Sequence, residues 1–321
     1  LFERDHVLAQ TWAAFAFASE VSETGVTVPI VFMGLPLFMV RDEQGRSRVF
    51  HNVCSHRGMQ LVCESTPSGL TIRCPYHRWG YDLTGRLKAT PNIGGMGVHE
   101  VAGFDCGQHG LKEVRSEEYL GIIFINLSGE ALPLETQFQS ITQRWQALAG
   151  DDFSEILVSD SGESGALELA VNCNYKLAVE NYCESYHLPS IHPDLNSYSP
   201  LAQHYNLVVD NVASGQGTHS YDLGRGDAPP LPVFPHWDNQ RLKTGEYLSL
   251  YPNVLLGLQA DHFFAIILTS DAPDKTRERL RFFYAGDDAL GDATLARRQS
   301  LHAAWSQVFS EDISVVEGMQ R

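Results

Sequence analysis

Basic residues are scarce in this chain of 321 residues, where 23 Lys and Arg stand against 39 Asp and Glu and the formal net charge is −16. Such an acidic surface repels phosphate backbones and anionic lipid headgroups, so we expect neither nucleic acid nor a membrane surface as a partner. The sequence also lacks a run of about 18 apolar residues and a signal-peptide pattern. We therefore expect no insertion into a membrane.

Cysteine is rare as well, with six in the whole chain. That number does not suggest the disulfide framework of a secreted domain, and a cytoplasmic, reducing location is predicted. Two cofactor signatures are missing, namely a GxGxxG nucleotide fingerprint and a four-cysteine ferredoxin run. Were the chain a redox enzyme, electrons from NAD(P)H would therefore have to reach it indirectly, through a separate reductase.

The length and a hydrophobic content of 43% allow two domains with sizeable cores. Short strand-like segments and tight turns predict a small all-β domain over residues 25–130. Helical periodicity follows at 134–148, then several strand-like segments, then a final helix at about 292–317. The domain boundary is predicted near residue 130.

Three of the six cysteines lie in the stretch CSHRGMQLVCESTPSGLTIRCPYH, residues 54–77. Cys54 with His56, and Cys74 with His77, form two arms that each offer one thiolate and one imidazole. A Rieske [2Fe–2S] cluster needs this pattern, because two cysteines hold one iron and two histidines hold the other. A Cys₂His₂ zinc site is the alternative, although its spacing usually groups the cysteines together and the histidines together. Cys63 lies between the arms and is interpreted as a packed thiol.

A second constellation lies in NYKLAVENYCESYHLPSIHPDL, residues 174–195. His187 and His192 are five residues apart with Pro189 between them, so a helix through this stretch must bend or end there. A distorted turn can direct both imidazoles at one metal, and a carboxylate would complete the 2-His-1-carboxylate triad of non-haem Fe(II) oxygenases. Two such histidines could also be surface or core residues. A Rieske cluster carries one electron at a time and needs an acceptor, so its motif favours an iron site over surface or core histidines. The spacing alone leaves three candidate carboxylates near the C-terminus: Glu311, Asp312 and Glu317.

On these motifs the chain resembles the oxygenase (α) component of the Rieske non-haem iron oxygenases, the ring-hydroxylating superfamily, over nearly its whole length. The resemblance implies that Cys54, His56, Cys74 and His77 hold the cluster. It also implies that Fe(II) is held by His187, His192 and Asp312, which therefore becomes the expected third ligand.

The resemblance implies an α+β fold in which an all-β Rieske domain is inserted in a helix-grip catalytic domain, an antiparallel sheet plus helices. Residues 1–24 would be an N-terminal helical segment of the catalytic domain, 25–130 the Rieske domain and 131–321 the catalytic mononuclear iron domain. It also implies head-to-tail homotrimers, in which the cluster of one subunit lies close to the iron of its neighbour.

Glu184 departs from the aromatic-ring dioxygenases, in which the position three before the first iron histidine is Asp. Glutamate there, after the residues ENY, is similar to the choline, carnitine, glycine-betaine and proline-betaine branch. The resemblance implies that Glu184 is a catalytic residue that carries an electron from His77 of one subunit to the iron of the next. A plain structural interpretation makes Glu184 an orienting partner of His187.

The branch implies a monooxygenase that hydroxylates a carbon next to a quaternary nitrogen, with N-demethylation or C–N cleavage following. Quaternary ammonium groups bind in aromatic cages, and the catalytic half offers several candidate rings, most of which are expected to be core residues. These candidates are Tyr182, Tyr198, Tyr205, Trp237 and Phe263. An aromatic substrate, as in a ring-hydroxylating dioxygenase or an aromatic O- or N-demethylase, is the alternative.

The predicted reaction uses O₂, of which one atom enters the substrate and the other leaves as water. The expected partners are the small-molecule substrate and a flavin/iron–sulfur reductase, with or without a ferredoxin. A Rieske electron carrier would explain the first motif but would leave about 190 further residues and the second iron site without a role.

Overall fold

The computed structural model describes residues 2–160, 165–222 and 228–321. The chain divides into two compact units, Leu1–Ala131 and Leu132–Arg321. The division falls next to the boundary expected at residue 130. Each unit has its own hydrophobic core.

The first unit is built almost entirely from short antiparallel strands. Its elements are α1 (Phe2–His6), β1 (Ala13–Phe17), β2 (Val26–Phe32), β3 (Leu35–Arg41), β4 (Ser47–His51), β5 (Thr66–Pro67), β6 (Ile72–Arg73), β7 (Gly80–Tyr81), β8 (Leu87–Ala89), β9 (Glu113–Tyr119) and β10 (Ile122–Asn126). Seven strands form one sheet in the order β1-β10-β9-β4-β3-β2-β5, and β6-β7-β8 form a second. The small sheet lies beside a buried cluster that includes Cys54, Cys74 and Trp79.

The N-terminal segment differs from the expected helical part of the catalytic domain over residues 1–24. Residues Ala13–Phe17 form β1, which pairs with β10 in the seven-stranded sheet and therefore belongs to the first unit. All five residues of β1 are buried. A short continuous apolar run of this kind suits a strand covered on both faces as well as it suits a helix, so periodicity could not distinguish them.

The second unit is an antiparallel sheet with helices. Its elements are α2 (Leu134–Gln137), α3 (Gln139–Ala149), β11 (Leu157–Ser159), β12 (Ala166–Val171), α4 (Tyr175–Tyr182), α5 (Leu188–Ile191), α6 (Pro193–Tyr198), β13 (His204–Val209), β14 (Ala213–Thr218), β15 (Gly245–Leu250), β16 (Val254–Leu258), β17 (Phe263–Ala272), β18 (Lys275–Ala285) and α7 (Asp292–Gln320). The sheet order is β11-β18-β17-β16-β15-β14-β13, and β12 also pairs with β18.

The core of the second unit joins β15–β18 to α4 and α7 through a cluster rich in aromatic side chains. The helix predicted at 134–148 is interrupted at Phe138, which ends α2 and precedes α3. The last helix extends to Gln320, three residues beyond its predicted end. Within the described residues, no helix combines the length and the apolar character needed to cross a membrane.

Candidate metal centres

The two Cys/His arms of the first unit form turns with the same hydrogen-bonding pattern. In each, the backbone N–H of the cysteine donates to the carbonyl five residues later, at 2.8 Å for Cys54 and 2.9 Å for Cys74. The cysteine carbonyl accepts from the N–H four residues later, at 3.0 and 3.1 Å. That residue has positive φ in both turns, +74° at Gly58 and +62° at Arg78. Left-handed backbone at this position closes both loops.

The four predicted cluster ligands separate into a sulfur pair and an imidazole pair. Cys54 and Cys74 are buried, 2% and 1% exposed. Burial raises the pKa of the Cys74 thiol, and the neighbouring Cys54 thiol raises it further. The rings of His56 and His77 lie 4.7 Å apart, and Nδ1 of His77 is buried without a hydrogen-bond partner among the described residues. A cluster with two sulfur and two nitrogen ligands fits this donor set and accounts for that nitrogen.

Tyr81 is a further contact to Cys54, one of the predicted cluster ligands, that was not predicted from the sequence. Its hydroxyl lies 3.1 Å from Sγ of Cys54 and 3.0 Å from Oγ of Ser55, which in turn donates to the His109 carbonyl. Hydrogen bonds to the sulfurs are among the factors that set the potential of an iron–sulfur cluster. The available sequence signal was an aromatic residue four positions after the second arm.

In the second unit the two predicted iron histidines flank a short helix. Helix α4 ends at Tyr182, before His187, whereas the predicted helical stretch continued to that residue. The side chain of Gln216 donates to the carbonyl of Glu184 at 3.0 Å, a contact that holds the non-helical segment. His187 then precedes α5 and His192 follows it, so that the two rings lie 5.1 Å apart at 74°.

Helix α7 brings Asp312 to these histidines. Its Oδ1 lies 3.0 Å from Nε2 of His192 and 3.8 Å from Nε2 of His187, and one ligand atom from each of the three residues lies within 4.8 Å of the others. Two imidazoles and one carboxylate are the donor set of a facial triad, which suits Fe(II). Glu317 instead accepts hydrogen bonds from the backbone and side chain of Asn172, at 3.0 and 2.8 Å.

The outer nitrogens of the two histidines each face a carboxylate. Oε1 of Glu184 lies 2.5 Å from Nδ1 of His187, and Oε2 of Glu311 lies 2.7 Å from Nδ1 of His192. Both Nε2 atoms are therefore directed at the space beside Asp312. Asp312 thus faces the Nε2 atoms of both histidines, whereas Glu184 and Glu311 bond the outer nitrogens. Glu317 bonds Asn172 instead.

The electrostatics of this site are dominated by carboxylates. Burial lowers the pKa of His192, but hydrogen bonds and charge from Asp312 and then Glu311 outweigh it and raise the pKa above its ordinary value. Burial, together with the charge of Asp312, raises the pKa of Glu278 on β18 to about 7. Glu278 and Asp312 share a cavity of about 20 Å³ with Asn181, which is room for one water molecule.

A second cavity, of about 40 Å³, opens beside the histidines and Asp312. Much of its wall is aromatic or aliphatic. The lining residues are Asn181, Tyr182, His187, Leu188, His192, Leu195, His204, Gln216, Tyr247, Trp305, Val308, Phe309 and Asp312. The four aromatic rings contact one another, with Trp305 stacked on Phe309 at 5.5 Å and Tyr247 at 5.9 Å from Trp305 and 6.4 Å from Tyr182.

Buried polar groups hold Trp305 in this wall. Its indole N–H donates to Nε2 of His262 at 3.1 Å. Since an indole is a donor only, Nε2 of His262 must accept and Nδ1 must carry the proton, which is donated to Oδ1 of Asp261 at 2.6 Å. His262 and Asp261 are 0% and 3% exposed, so this chain of hydrogen bonds fixes the orientation of the ring.

Of the five aromatic candidates from the sequence, Tyr182 lines the iron-side cavity and its hydroxyl donates to the Leu256 carbonyl at 2.9 Å. The other four lie elsewhere in the second unit. Tyr198 packs on Tyr221, Tyr205 stacks on His219, Trp237 packs on Phe234, and Phe263 packs on Trp145 and Phe153. Tyr247, Trp305 and Phe309 were missed, because 55 or more residues separate each of them from His192.

Two family profiles match the chain. The profile described as ring hydroxylating alpha subunit (catalytic domain) matches residues 158–321, and that of the Rieske [2Fe-2S] domain matches residues 11–109. The chain therefore belongs to the ring-hydroxylating alpha-subunit family, the Rieske non-haem iron oxygenases. The predicted family and the predicted α+β fold class with a Rieske and a catalytic domain are confirmed.

Among individual relatives, the carnitine monooxygenase oxygenase subunit of Escherichia coli (strain K12) is 29% identical over 209 residues, 65% of this chain and 53% of that protein. The glycine betaine monooxygenase oxygenase subunit of Chromohalobacter salexigens is 31% identical over 193 residues, 60% of this chain and 40% of that protein. The matched region thus spans about half the length of these curated relatives.

Solved structures share the fold over nearly the entire chain. The quaternary ammonium Rieske monooxygenase CntA in complex with its substrate L-carnitine superposes with a TM-score of 0.77 and 22% identity, covering 99% of this chain and 80% of that one. Naphthalene 1,2-dioxygenase from Rhodococcus sp. gives a TM-score of 0.73 and 19% identity, covering 99% and 79%. Since this fold occurs in a quaternary ammonium monooxygenase and in a naphthalene dioxygenase, the fold alone does not determine the class of substrate.

Proposed function

We propose that this chain is a terminal oxygenase that hydroxylates a carbon next to the quaternary nitrogen of a small ammonium compound, with electrons from a separate reductase. The observation that carries the proposal is the wall of four aromatic rings beside His187, His192 and Asp312; the cavity they line is about 40 Å³ and has to widen when such a substrate binds. The named relatives act on carnitine and glycine betaine, which agrees with this substrate class.

The aromatic wall supplies binding and orientation. A quaternary ammonium group has no N–H to donate, and aromatic rings such as those of Tyr182, Tyr247, Trp305 and Phe309 attract its positive charge through their π systems. The hydrogen bonds of Tyr182 to Leu256 and of Trp305 to His262 hold two of these rings in fixed orientations. Preorganised rings avoid the entropy cost of ordering side chains when the substrate binds.

His187, His192 and Asp312 would hold the mononuclear iron, and the cysteines and histidines of the two arms would hold the Rieske cluster. When bound, the iron supplies the position at which O₂ is activated and the cluster supplies electrons one at a time. The aliphatic side chains of Leu188, Leu195 and Val308 line the same cavity and exclude water from it.

The overall reaction balances as one C–H bond, one O₂, two electrons and two protons giving one C–OH group and one water. A hydroxyl on the carbon beside nitrogen is a hemiaminal, whose collapse breaks the C–N bond and leaves a tertiary amine and a carbonyl compound. N-demethylation and C–N cleavage are the two forms of this outcome, depending on which carbon faces His187 and His192.

Head-to-tail homotrimers are part of the proposal, with Glu184 of one subunit bonded to His77 of a neighbouring copy. Oε1 of Glu184 lies 2.5 Å from Nδ1 of His187, and Oε2 accepts the backbone N–H groups of Tyr186 and His187. Because the side chain is still 45% exposed and each carboxylate oxygen can accept more than one hydrogen bond, a further partner can reach it. One solved relative is described by its inter-subunit electron transfer. The electron donor is proposed to be a flavin/iron–sulfur reductase, with or without a ferredoxin.

The test is a substrate panel of carnitine, choline, glycine betaine, proline betaine and simple aromatic acids, with O₂ uptake and product detection. A flavin/iron–sulfur reductase is supplied, and hydrogen peroxide is measured to separate coupled from uncoupled uptake. We expect coupled turnover of at least one quaternary amine. A product hydroxylated on an aromatic ring, with no turnover of any quaternary amine, would overturn the proposal in favour of an aromatic-substrate oxygenase, which could use the same rings for stacking.

A further inference from the structure

Glu311 and Asp312 are consecutive on α7 and contact opposite edges of one imidazole. Glu311 Oε2 lies 2.7 Å from Nδ1 of His192, and Asp312 Oδ1 lies 3.0 Å from Nε2 of the same ring. Neighbouring residues on a helix are about 100° apart around the axis, which lets two side chains grip a ring between them. The His192 side chain is 2% exposed, so these carboxylates dominate its polar environment.

The chemistry of imidazole assigns different roles to the two carboxylates. A histidine nitrogen that binds a metal must be unprotonated, and the other nitrogen then carries the proton. Nε2 of His192 faces Asp312 and His187, whereas Nδ1 faces Glu311. With iron bound through Nε2, the Nδ1–H therefore donates to Glu311. A carboxylate at this place fixes the tautomer and ring orientation and makes the ligand nitrogen more basic.

Glu311 is itself held in position. The side-chain amide of Gln307, one turn earlier on α7, donates to Oε1 of Glu311 at 2.9 Å. Both carboxylate oxygens thus have partners, one on its own helix and one on His192. The side chain is 28% exposed, against 45% for Glu184, which bonds the other histidine. Of the two carboxylates that bond outer histidine nitrogens, Glu311 is therefore better suited to bonding within its own subunit alone.

We propose that Glu311 is a positioning residue that keeps His192 in the Nδ1-protonated tautomer and presents Nε2 to the iron, and that it is not itself an iron ligand. The inference rests on the iron site of the proposed function. It separates two adjacent acidic residues by role: Asp312 as ligand and Glu311 as the partner of a ligand.

The test compares substitutions at two glutamates of the same helix. Glu311→Ala removes the contact to His192, and Glu311→Gln retains an oxygen that can accept from Nδ1–H. Glu317→Ala and Glu317→Gln are matched controls, because Glu317 bonds Asn172 instead. Asp312→Ala reports the loss of a ligand. The measurement is the Fe(II) dissociation constant of iron-depleted protein, with the visible spectrum of the Co(II)-loaded second site as a readout of coordination.

We expect Glu311→Ala to weaken Fe(II) binding about 10- to 100-fold while the Co(II) spectrum keeps the parent's shape at saturation. Glu311→Gln should recover part of that loss, and the Glu317 variants should bind Fe(II) within about 2-fold of the parent. Circular dichroism and thermal unfolding of the iron-depleted proteins check that each variant is folded. If Glu311→Ala is unfolded, the Fe(II) affinity and Co(II) spectrum of Glu311→Gln, compared with those of Glu317→Gln, decide the question.

Three results would overturn the inference. If Glu311→Ala binds Fe(II) as tightly as Glu317→Ala does, Glu311 does not position His192. If Glu311→Ala and Glu311→Gln lose the same Fe(II) affinity, the effect of Glu311 does not come from accepting a hydrogen bond. A Co(II) spectrum altered in the same way as in Asp312→Ala would make Glu311 a ligand. The proposed iron site fails separately, if the parent protein itself binds no Fe(II) at His187, His192 and Asp312.

Discussion

The two candidate metal centres are assembled in opposite ways. All four ligands of the first come from residues 54–77, on two turns with the same hydrogen bonds. The ligands of the second come from the two ends of α5 and from α7, so that His187 and Asp312 are 125 residues apart in sequence. A site made by local turns depends on backbone conformation, whereas a site made by a distant helix depends on how that helix packs.

The largest expected effect comes from removing an iron ligand of the second unit while the first centre stays intact. Asp312→Ala should abolish oxygenation and lower iron from about three to about two per chain, because one of the protein ligands of a facial triad is lost. Iron analysis and product formation are the measurements, and His187→Ala should behave alike. If Glu317→Ala lost the third iron while Asp312→Ala retained it, the assignment of the carboxylate would be wrong.

The converse substitution removes a ligand from the Cys/His site of the first unit and leaves the iron site of the second unit intact. Cys74→Ser should remove the visible absorption of the Rieske centre, since a cysteine thiolate is an iron ligand of the cluster. Binding of the mononuclear iron should persist, because its ligands lie in the other unit. Absorption spectra and Fe(II) titration measure both, with Cys63→Ser as the control, because Cys63 is exposed and not the packed thiol that was predicted. An unchanged spectrum in Cys74→Ser would refute the cluster assignment.

Glu184→Ala tests whether the two centres communicate through this side chain. If Glu184 merely orients His187, its loss should cost roughly 10- to 100-fold in iron affinity or activity, with reoxidation of the cluster intact in iron-replete protein. If it bridges to His77 of a neighbouring subunit, both centres should stay occupied while O₂ no longer reoxidises the reduced cluster in the presence of substrate. We expect the second result. Single turnover of pre-reduced, iron-replete protein at the parent rate would exclude the bridge.

A smaller effect should appear in the pH dependence of stability. The pKa of Glu278 is raised from 4.5 to about 7 in the folded chain. Between these values the unfolded chain releases a proton that the folded chain keeps, so stability falls as pH rises through this window, by roughly 3 kcal/mol in total. Iron-free Glu278→Gln should therefore gain stability relative to the parent between pH 5 and pH 8.

Unfolding midpoints of Glu278→Gln and the parent, measured in parallel from pH 5 to pH 8, give this difference. Glu180→Gln is a control for the loss of an acidic residue, since the Glu180 side chain is exposed on α4. A constant difference between Glu278→Gln and the parent across the window would contradict the raised pKa.

The smallest expected effect concerns the twin turns of the first unit. Gly58→Ala places a side chain where φ is +74°, and Arg78→Gly removes one where φ is +62°. Left-handed backbone costs a non-glycine residue about 1 to 2 kcal/mol, so Gly58→Ala should destabilise the unit by about 1 kcal/mol and Arg78→Gly should offset part of that loss in the double variant. Denaturant unfolding followed at the Rieske absorption is the measurement. Destabilisation by Arg78→Gly alone would show that the arginine side chain matters more than its backbone.

Much of the fold followed from local patterns in the sequence. The hairpins of the first unit and the long final helix were predicted within a few residues, because turn residues and helical periodicity act over short distances. The segment Ala13–Phe17 was harder, since five buried apolar residues carry no period that separates strand from helix. The end of α4 at Tyr182 also escaped prediction, because a side chain from β14, Gln216, bonds the carbonyl of Glu184.

The sequence by itself determined the four Cys/His positions of the first site and the family to which they belong, because two short turns carry both ligands of each arm. Spacing alone left Glu311, Asp312 and Glu317 open and only the family motif pointed to Asp312, whereas the tertiary structure brings Asp312 to His187 and His192 and Glu311 to the outer edge of His192. Only the tertiary structure decided that Tyr247, Trp305 and Phe309 share a wall with Tyr182. These contacts join segments more than 50 residues apart, and they depend on the packing of α7 against the sheet, which no local pattern encodes.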